Sequence, residues 1–430
     1  MKKNKIAIIG LGYVGLPLAI EFGKRDKIVA FDVDKNRISE LKKNYDRTKE
    51  FSSTDLKTAK KIFFTSNKNE LEKCNVYILA IPTPIDKNKK PDLSQLKNAT
   101  KTVAKYIKNQ DLVIFESTVY PGVTEEICVP IIRNISKLNY INYDTKKNTL
   151  GFYCGYSPER INPGDKKHTI RKIVKVVAGS NKYATKKINI IYKKIVKAGT
   201  FVAKDIKTAE AAKVIENTQR DLNIALMNEI SFILKRMKLD FYDVMNAAKT
   251  KWNFIPFKPG LVGGHCIGVD PYYLTFKSKQ LGYKPQIILS GRKLNDGMGG
   301  YIIKLLKNEF KRKKKKIKGS KILIMGVAFK ENCSDFRNSK VIDIYNKLKV
   351  LKSNVELYDP HVNEKDFFKY SKLRLAKVLK KNFYDSVIIA VAHKKFVNLG
   401  IKKIRNILKK NSVVFDVKSI FKSYETELRL

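Results

Sequence analysis

Ile6-Ala7-Ile8-Ile9-Gly10-Leu11-Gly12-Tyr13-Val14-Gly15 is the stretch on which the fold turns. The apolar run predicts a buried strand, the glycines follow in the spacing Gly-x-Gly-x-x-Gly, and Leu16 to Lys24 reads as a helix. Each glycine has a physical reason. The first makes a tight turn, the second lets backbone approach a pyrophosphate, and the third lets helix and strand pack closely. The helix amino terminus then faces the phosphates. Gly10, Gly12 and Gly15, with Tyr13 and Val14 between them, are therefore candidate contacts for a dinucleotide. Asp32 closes the next apolar run, twenty residues past Gly12 (32 minus 12), where a carboxylate accepts hydrogen bonds from a ribose diol. A 2′-phosphate would meet negative charge there, so the cofactor expected is NAD and not NADP. Arg37 is placed either over the adenosine side or in solvent.

Outward from this motif, short apolar runs alternate with helical periodicity, the pattern of βαβ units and a parallel sheet. Strands are expected at Lys5 to Gly10, Ile28 to Asp32, Ile62 to Thr65, Val76 to Ile81, Leu112 to Ser117 and Phe152 to Tyr156. Ile206 to Met237 has no proline or glycine and predicts a long helix, with weaker helical character to about Lys249. Pro256, Pro259, Gly260, Gly263, Gly264 and Gly268 then rule out regular structure and predict a shaped loop. A second α/β pattern has runs at Ile322 to Val327, Val355 to Tyr358, Val387 to Ala392 and Val413 to Val417. The expected fold is thus α/β, two Rossmann-like doubly wound domains joined by a long central helix. Its divisions are an NAD-binding domain over 1–205, a central helical domain over 206–316, and a second doubly wound domain over 317–430. A chain of 430 residues is long enough for two or three cores.

The formal charge of +48 would by itself suggest nucleic acid or an anionic membrane. The lysines are spread through every segment and far outnumber the arginines, whereas nucleic-acid readers concentrate charge in a stripe. They read as compositional bias, and neither nucleic acid nor a membrane is expected as a partner. Lys311 to Lys316, the one tight run, reads as a linker or helix end. Five widely spaced cysteines, odd in number and without Cys-x-x-Cys, suggest no zinc or redox motif and fit a reducing cytoplasm; no metal is expected. The opening Met1-Lys2-Lys3-Asn4-Lys5 leads into an apolar run too short for a secretory leader, and no run approaches bilayer length.

Lys249 to Leu274 reads KTKWNFIPFKPGLVGGHCIGVDPYYL and sets Cys266 among glycines that admit a ligand to the backbone. An isolated cysteine is more often a small buried hydrophobe, but this setting suits a nucleophile. Lys213 and Asn217 lie one turn apart on the long helix, so an ammonium and an amide can point at one oxygen.

Here the chain resembles the UDP-glucose/GDP-mannose dehydrogenase family. Gly263-Gly264-His265-Cys266-Ile267-Gly268-Val269-Asp270-Pro271 carries the likeness, with Pro82-Thr83-Pro84, Glu116 to Gly122, Ser157-Pro158-Glu159-Arg160, Ala209 to Asp221, Gly326 to Lys330 and Asp335-Phe336-Arg337. The resemblance implies oxidation of an alcohol carbon twice, with two NAD molecules used in one active site and no release of the aldehyde. It makes Cys266 the thiol that captures the aldehyde and Asp270 the group that activates the thiol or positions water. Lys213 and Asn217 become oxyanion donors, Thr83 and Thr118 lie beside the cofactor, and Glu159 is a general base or water holder. Arg220 would reach the sugar or diphosphate. The sugar-nucleotide pocket would take in Phe257, Gly260 and Gly263, then Phe329, Lys330, Arg337 and Lys418. Family members often complete the pocket across a homodimer or higher homo-oligomer.

One segment departs from the simplest relatives. After Pro158-Glu159 come Arg160-Ile161-Asn162-Pro163-Gly164-Asp165-Lys166, without the usual aromatic residue or second glutamate. This version resembles the subgroup acting on UDP-N-acetylglucosamine or UDP-N-acetylgalactosamine for surface polysaccharides such as capsule or O-antigen, and Arg160 is a candidate partner for the acetamido carbonyl or diphosphate. Alternatives are UDP-N-acetylmannosamine or UDP-glucose as substrate, a two-electron hydroxyacid-type dehydrogenase, which needs no thiol, and a binding protein without catalysis.

Overall fold

The computed structural model describes residues 4–146, 148–161, 165 and 167–430; part of the departing segment, Asn162 to Gly164 and Lys166, and the opening Met1 to Lys3 lie outside them. The chain folds as two compact units: Met1–Glu216 with Tyr272–Lys284, and Asn217–Pro271 with Pro285–Leu430. The stretch 206–316 is thus shared between the units.

In the first unit the strands are β1 (Ile6–Ile9), β2 (Ile28–Phe31), β3 (Ile62–Thr65), β4 (Val76–Leu79), β5 (Leu112–Phe115), β6 (Asn139–Tyr140), β7 (Gly151–Tyr156), β8 (Lys175–Gly179) and β9 (Thr200–Val202). The sheet runs β3-β2-β1-β4-β5-β7-β8-β9 with β6 beside β7. Strands β1 to β5 and β7 are parallel, while β8 pairs antiparallel with β7. β1, β4 and β5 are buried throughout, as strands covered on both faces must be. The order reverses at β1, so the loops after β1 and β4 flank the switch-point crevice where such sheets bind ligands.

The second unit has β10 (Lys321–Met325), β11 (Asn354–Tyr358), β12 (Tyr384–Ile389), β13 (Leu408–Asp416) and β14 (Leu428–Arg429), all parallel in the order β11-β10-β12-β13-β14. Its switch point lies between β10 and β12, beside the loop that opens with Gly326. Every expected strand is present with ends shifted by a few residues; β6, β8, β9 and β14 are additional.

The long helix spans Ile206–Arg236 and ends on Lys235 and Arg236, which suit the negative end of its dipole. The weaker helical stretch is a separate helix, Phe241–Ala248, capped by the Asp240 carboxylate on the amides of Tyr242 and Asp243. A further helix, Gln286–Arg312, was not expected from sequence; its end accounts for the start of the basic run, with Lys311 and Arg312 in the last turn. No helix among the described residues is long and apolar enough to cross a membrane.

Candidate active site

Gly10 has φ +89°, and a Cβ there would come within 2.6 Å of the Ala80 carbonyl oxygen; a Cβ on Gly15 would lie 1.8 Å from the Gly10 oxygen. Turn and helix therefore pack as closely as the motif requires. A Cβ on Gly12 would meet nothing within 4 Å, which leaves this backbone open to a ligand. Asp32 is half-buried; one oxygen accepts from the Leu11 amide at 2.8 Å and the other from the Asp34 amide at 2.9 Å. An open glycine backbone beside a strand-end carboxylate fits NAD.

Arg37 corrects the solvent alternative. It is only 4% exposed, its Nε donates to the Leu11 carbonyl at 3.0 Å, and it pairs with Asp46 at 2.9 Å. Asp46 draws the guanidinium inward, so Arg37 braces the glycine turn through Leu11.

Thr83 and Thr118 follow the neighbouring strands β4 and β5, and the Thr83 hydroxyl donates to the Thr118 carbonyl at 2.6 Å. Tyr273, overlooked in the sequence although it lies within the quoted motif, donates its hydroxyl to the Thr83 carbonyl at 2.5 Å. Glu210 was overlooked as well. Its buried carboxylate accepts from the amides of Gly122 at 2.6 Å and Thr124 at 3.0 Å, and burial pushes its carboxyl up to about 7.

Glu159 is 8% exposed; one oxygen accepts from the amides of Arg160 at 2.6 Å and Ile161 at 2.5 Å, while the other is buried without a hydrogen-bond partner among the described residues. Arg160 is engaged within the protein, with Glu216 at 2.8 Å and the Val174 carbonyl at 2.9 Å. Any contact with an acetamido group would compete with that pairing. Lys213 is buried on the same helix as Glu216.

The second unit holds Cys266 on the glycine-rich loop. Its carbonyl accepts from the amides of Val269 at 2.9 Å and Asp270 at 2.8 Å, which turns the loop into the helix Asp270–Gln280. Cys266 is exposed, whereas Cys74, Cys128, Cys154 and Cys333 are buried. Burial pushes the Cys74 thiol up to about 11 and the Cys128 thiol up to about 12, so these are structural sulfurs. Asp270 is buried and accepts from the Asn217 amide at 2.5 Å. Arg220 is exposed on the same helix. Phe257 packs against Met227, Leu234 and Phe241, so its ring serves that cluster.

The loop is fitted to the β10 side of the unit. Asn228 grips Gly260 through both polar groups, at 2.7 Å and 3.1 Å. A Cβ on Gly263 would lie 2.8 Å from the Asn338 carbonyl oxygen, and one on Gly264 2.7 Å from the Phe329 ring. Lys330 stacks on Phe329 at 5.7 Å, and Arg337 clasps Asp335 at 2.7 Å and 3.0 Å. His265 stands 3.8 Å from Asp335; burial and then the Arg337 charge hold its ring below the usual histidine range. Lys418 approaches Gly260, where an added Cβ would meet its Nζ at 3.4 Å, and lies 3.6 Å from Glu331. The unit thus collects Asn217, Gly260, Gly263, Cys266, Asp270, Phe329, Lys330, Arg337 and Lys418.

A dinucleotide fold with a strand-end aspartate beside an open glycine turn, and a second doubly wound unit that carries one exposed thiol on a glycine loop, are the features of an NAD-dependent oxidoreductase. Three family models cover the chain: the NAD binding domain of the UDP-glucose/GDP-mannose dehydrogenase family over residues 4–196, its central domain over 207–297 and its UDP binding domain over 323–423. A Pseudomonas aeruginosa protein named UDP-N-acetyl-D-glucosamine 6-dehydrogenase is 49% identical over 430 residues, covering 100% of both chains. A Salmonella typhi protein of the same name is 48% identical over 99% of this chain and 98% of its own. A solved structure titled UDP-D-ManNAc dehydrogenase from Pyrococcus horikoshii superposes with a TM-score of 0.86 at 28% identity, over 97% of this chain and 96% of that one. The chain belongs to the UDP-glucose/GDP-mannose dehydrogenase family, and it is an NAD-dependent nucleotide-sugar dehydrogenase.

Proposed function

We propose that the enzyme oxidises the 6-hydroxyl of UDP-N-acetylglucosamine to the uronic acid, for surface polysaccharide synthesis. The observation that carries this reading is the lone exposed thiol, Cys266, on a loop whose neighbouring Asp270 already holds the Asn217 amide. When bound, NAD accepts a hydride at each of the two oxidations. Lys213 and Asn217 donate to the oxygen on which negative charge develops. Cys266 captures the aldehyde carbon so that it is retained between the oxidations. Glu159 holds the water that opens the resulting thioester, using its buried unpartnered oxygen. Gly10 to Gly15, Asp32, Thr83 and Thr118 hold the cofactor, with Arg37 behind the turn. Lys330, Arg337 and Lys418 take the diphosphate and sugar.

The choice of sugar rests on relatives of that name at 49% and 48% identity, against 31% and 32% for two archaeal relatives named UDP-N-acetyl-D-mannosamine dehydrogenase. Leu226 and Ile233 on one face of the long helix, with Met237 in the turn just after it, are exposed and support pairing of two copies. A reducing cytoplasm, where the Cys266 thiol persists, is the compartment proposed. The test is NADH release over a panel of UDP- and GDP-sugars, with about two NADH per UDP-N-acetylglucosamine and no acid from Cys266→Ala expected. One NADH per sugar, or normal acid production by that variant, would reject the reading.

A further inference from the structure

Behind Glu159 lies a buried charged cluster that the proposed reaction does not use. Lys175 is 3% exposed and Glu116 fully buried; the ammonium donates to Glu116 at 2.5 Å and to the Pro158 carbonyl at 3.0 Å. The Tyr192 hydroxyl donates to the other Glu116 oxygen. Burial pushes the Glu116 carboxyl up to about 7, against the pull of Lys175. A buried pair of this kind is a weak source of stability, since well-packed apolar residues usually do as well. Its use has to be sought in geometry.

That geometry is directed at one segment. Three consecutive residues, the first two of β8 and the one before it, hold the residues around Glu159: the Val176 carbonyl accepts from the Ser157 hydroxyl at 2.8 Å, Lys175 binds the Pro158 carbonyl, and the Val174 carbonyl accepts from Arg160. Glu159, the one residue of the four without such a tie, has one oxygen fixed by its own following amides and the other buried and unpartnered. The peptide that carries it is thus clamped on both sides. We propose that Lys175, fixed by Glu116 and Tyr192, is a positioning residue that aims the Glu159 carboxylate at the hydrolytic water.

This rests on the role proposed for Glu159. In that step the water oxygen bonds to the thioester carbon, a water proton passes to Glu159, and the carbon–sulfur bond breaks to return Cys266 as thiolate. A misaimed carboxylate slows this step and leaves earlier ones intact, so the acyl group accumulates on Cys266.

The experiment compares Glu159→Gln, Lys175→Met, Glu116→Gln and Tyr192→Phe in the full-length enzyme with NAD and UDP-N-acetylglucosamine, by steady-state rates and intact mass. Lys175→Met is expected to lower kcat roughly tenfold, to change both KM values less than about twofold, and to show the covalent sugar-nucleotide adduct that Glu159→Gln shows. Tyr192→Phe, which keeps the core shape, should show the same signature more weakly, and it decides the matter should Lys175→Met not fold. An adduct in Glu159→Gln but none in the folded cluster variants would overturn this proposal alone. Unchanged turnover in Glu159→Gln would overturn the role of Glu159 and this proposal with it.

Discussion

The two doubly wound units use one device for opposite ends. In the first, Gly10 follows β1 with φ +89°, its amide donates to the Phe31 carbonyl at 2.9 Å, and Asp32 beyond β2 receives the Leu11 amide. In the second, Gly326 follows β10 with φ +94°, its amide donates to the Tyr358 carbonyl at 2.7 Å, and Asp359 beyond β11 receives the amides of Val327 at 2.7 Å and Ala328 at 3.0 Å. Asp32 stays half-buried and open to a ribose, but Asp359 is buried and filled. It also accepts from the His361 amide at 2.8 Å and from His393 Nε2 at 3.1 Å, while His393 Nδ1 accepts from the Asn332 amide. A glycine turn with a strand-end aspartate therefore marks a doubly wound start, and only the occupancy of the carboxylate tells a binding site from a strut.

That contrast can be broken most forcefully at Asp359. Asp359→Ala leaves several buried amides and a histidine without an acceptor and should cost about 4 kcal/mol of stability in urea unfolding. A cost below about 1 kcal/mol would show that the carboxylate is no strut. Gly326→Ala and Gly10→Ala come next, at about 3 kcal/mol each, because positive φ is joined by contacts of 2.6 Å with Val391 and with the Ala80 oxygen. Asp32→Ala should behave otherwise, with about 1 kcal/mol lost in unfolding and KM for NAD raised roughly tenfold. Unchanged KM would remove the ribose contact from the comparison.

The smallest effect is in acid. Burial raises the Asp359 carboxyl, but the His393 hydrogen bond and the loop amides outweigh it and hold the group below its usual range. A depressed carboxylate contributes stability above its unfolded value of about 3.9, and the contribution disappears as pH falls through the folded value. The stability gap between the wild type and Asp359→Asn should accordingly be constant from pH 7 to 5 and narrow only below about pH 4.

The first of these devices was legible in the sequence because its parts lie within one strand–turn–helix and one following strand. The second was read only as an α/β pattern, since nothing near Asp359 announces that His393, 34 residues on, fills it. The helix Gln286–Arg312 was hidden by Gly291, Gly297, Gly299 and Gly300, which weaken a helical reading. Gly291 has a packing reason: a Cβ there would lie 2.5 Å from Leu222. Arg37 was left open between the adenosine side and solvent because helical spacing does not show that Asp46 draws it inward. The cluster of Glu116, Lys175 and Tyr192 joins residues 59 and 76 positions apart, beyond any local pattern. Cys266 was legible through its glycines, which are where backbone must pass close to Asn338 and Phe329.

The distribution of sulfur has a practical consequence. With four cysteines in the interior and one on the surface, a maleimide or iodoacetamide should react with the native enzyme in a one-to-one ratio at Cys266. Reagent consumed then counts competent molecules in any preparation, and shielding of that label by a candidate sugar nucleotide ranks ligands without a turnover assay.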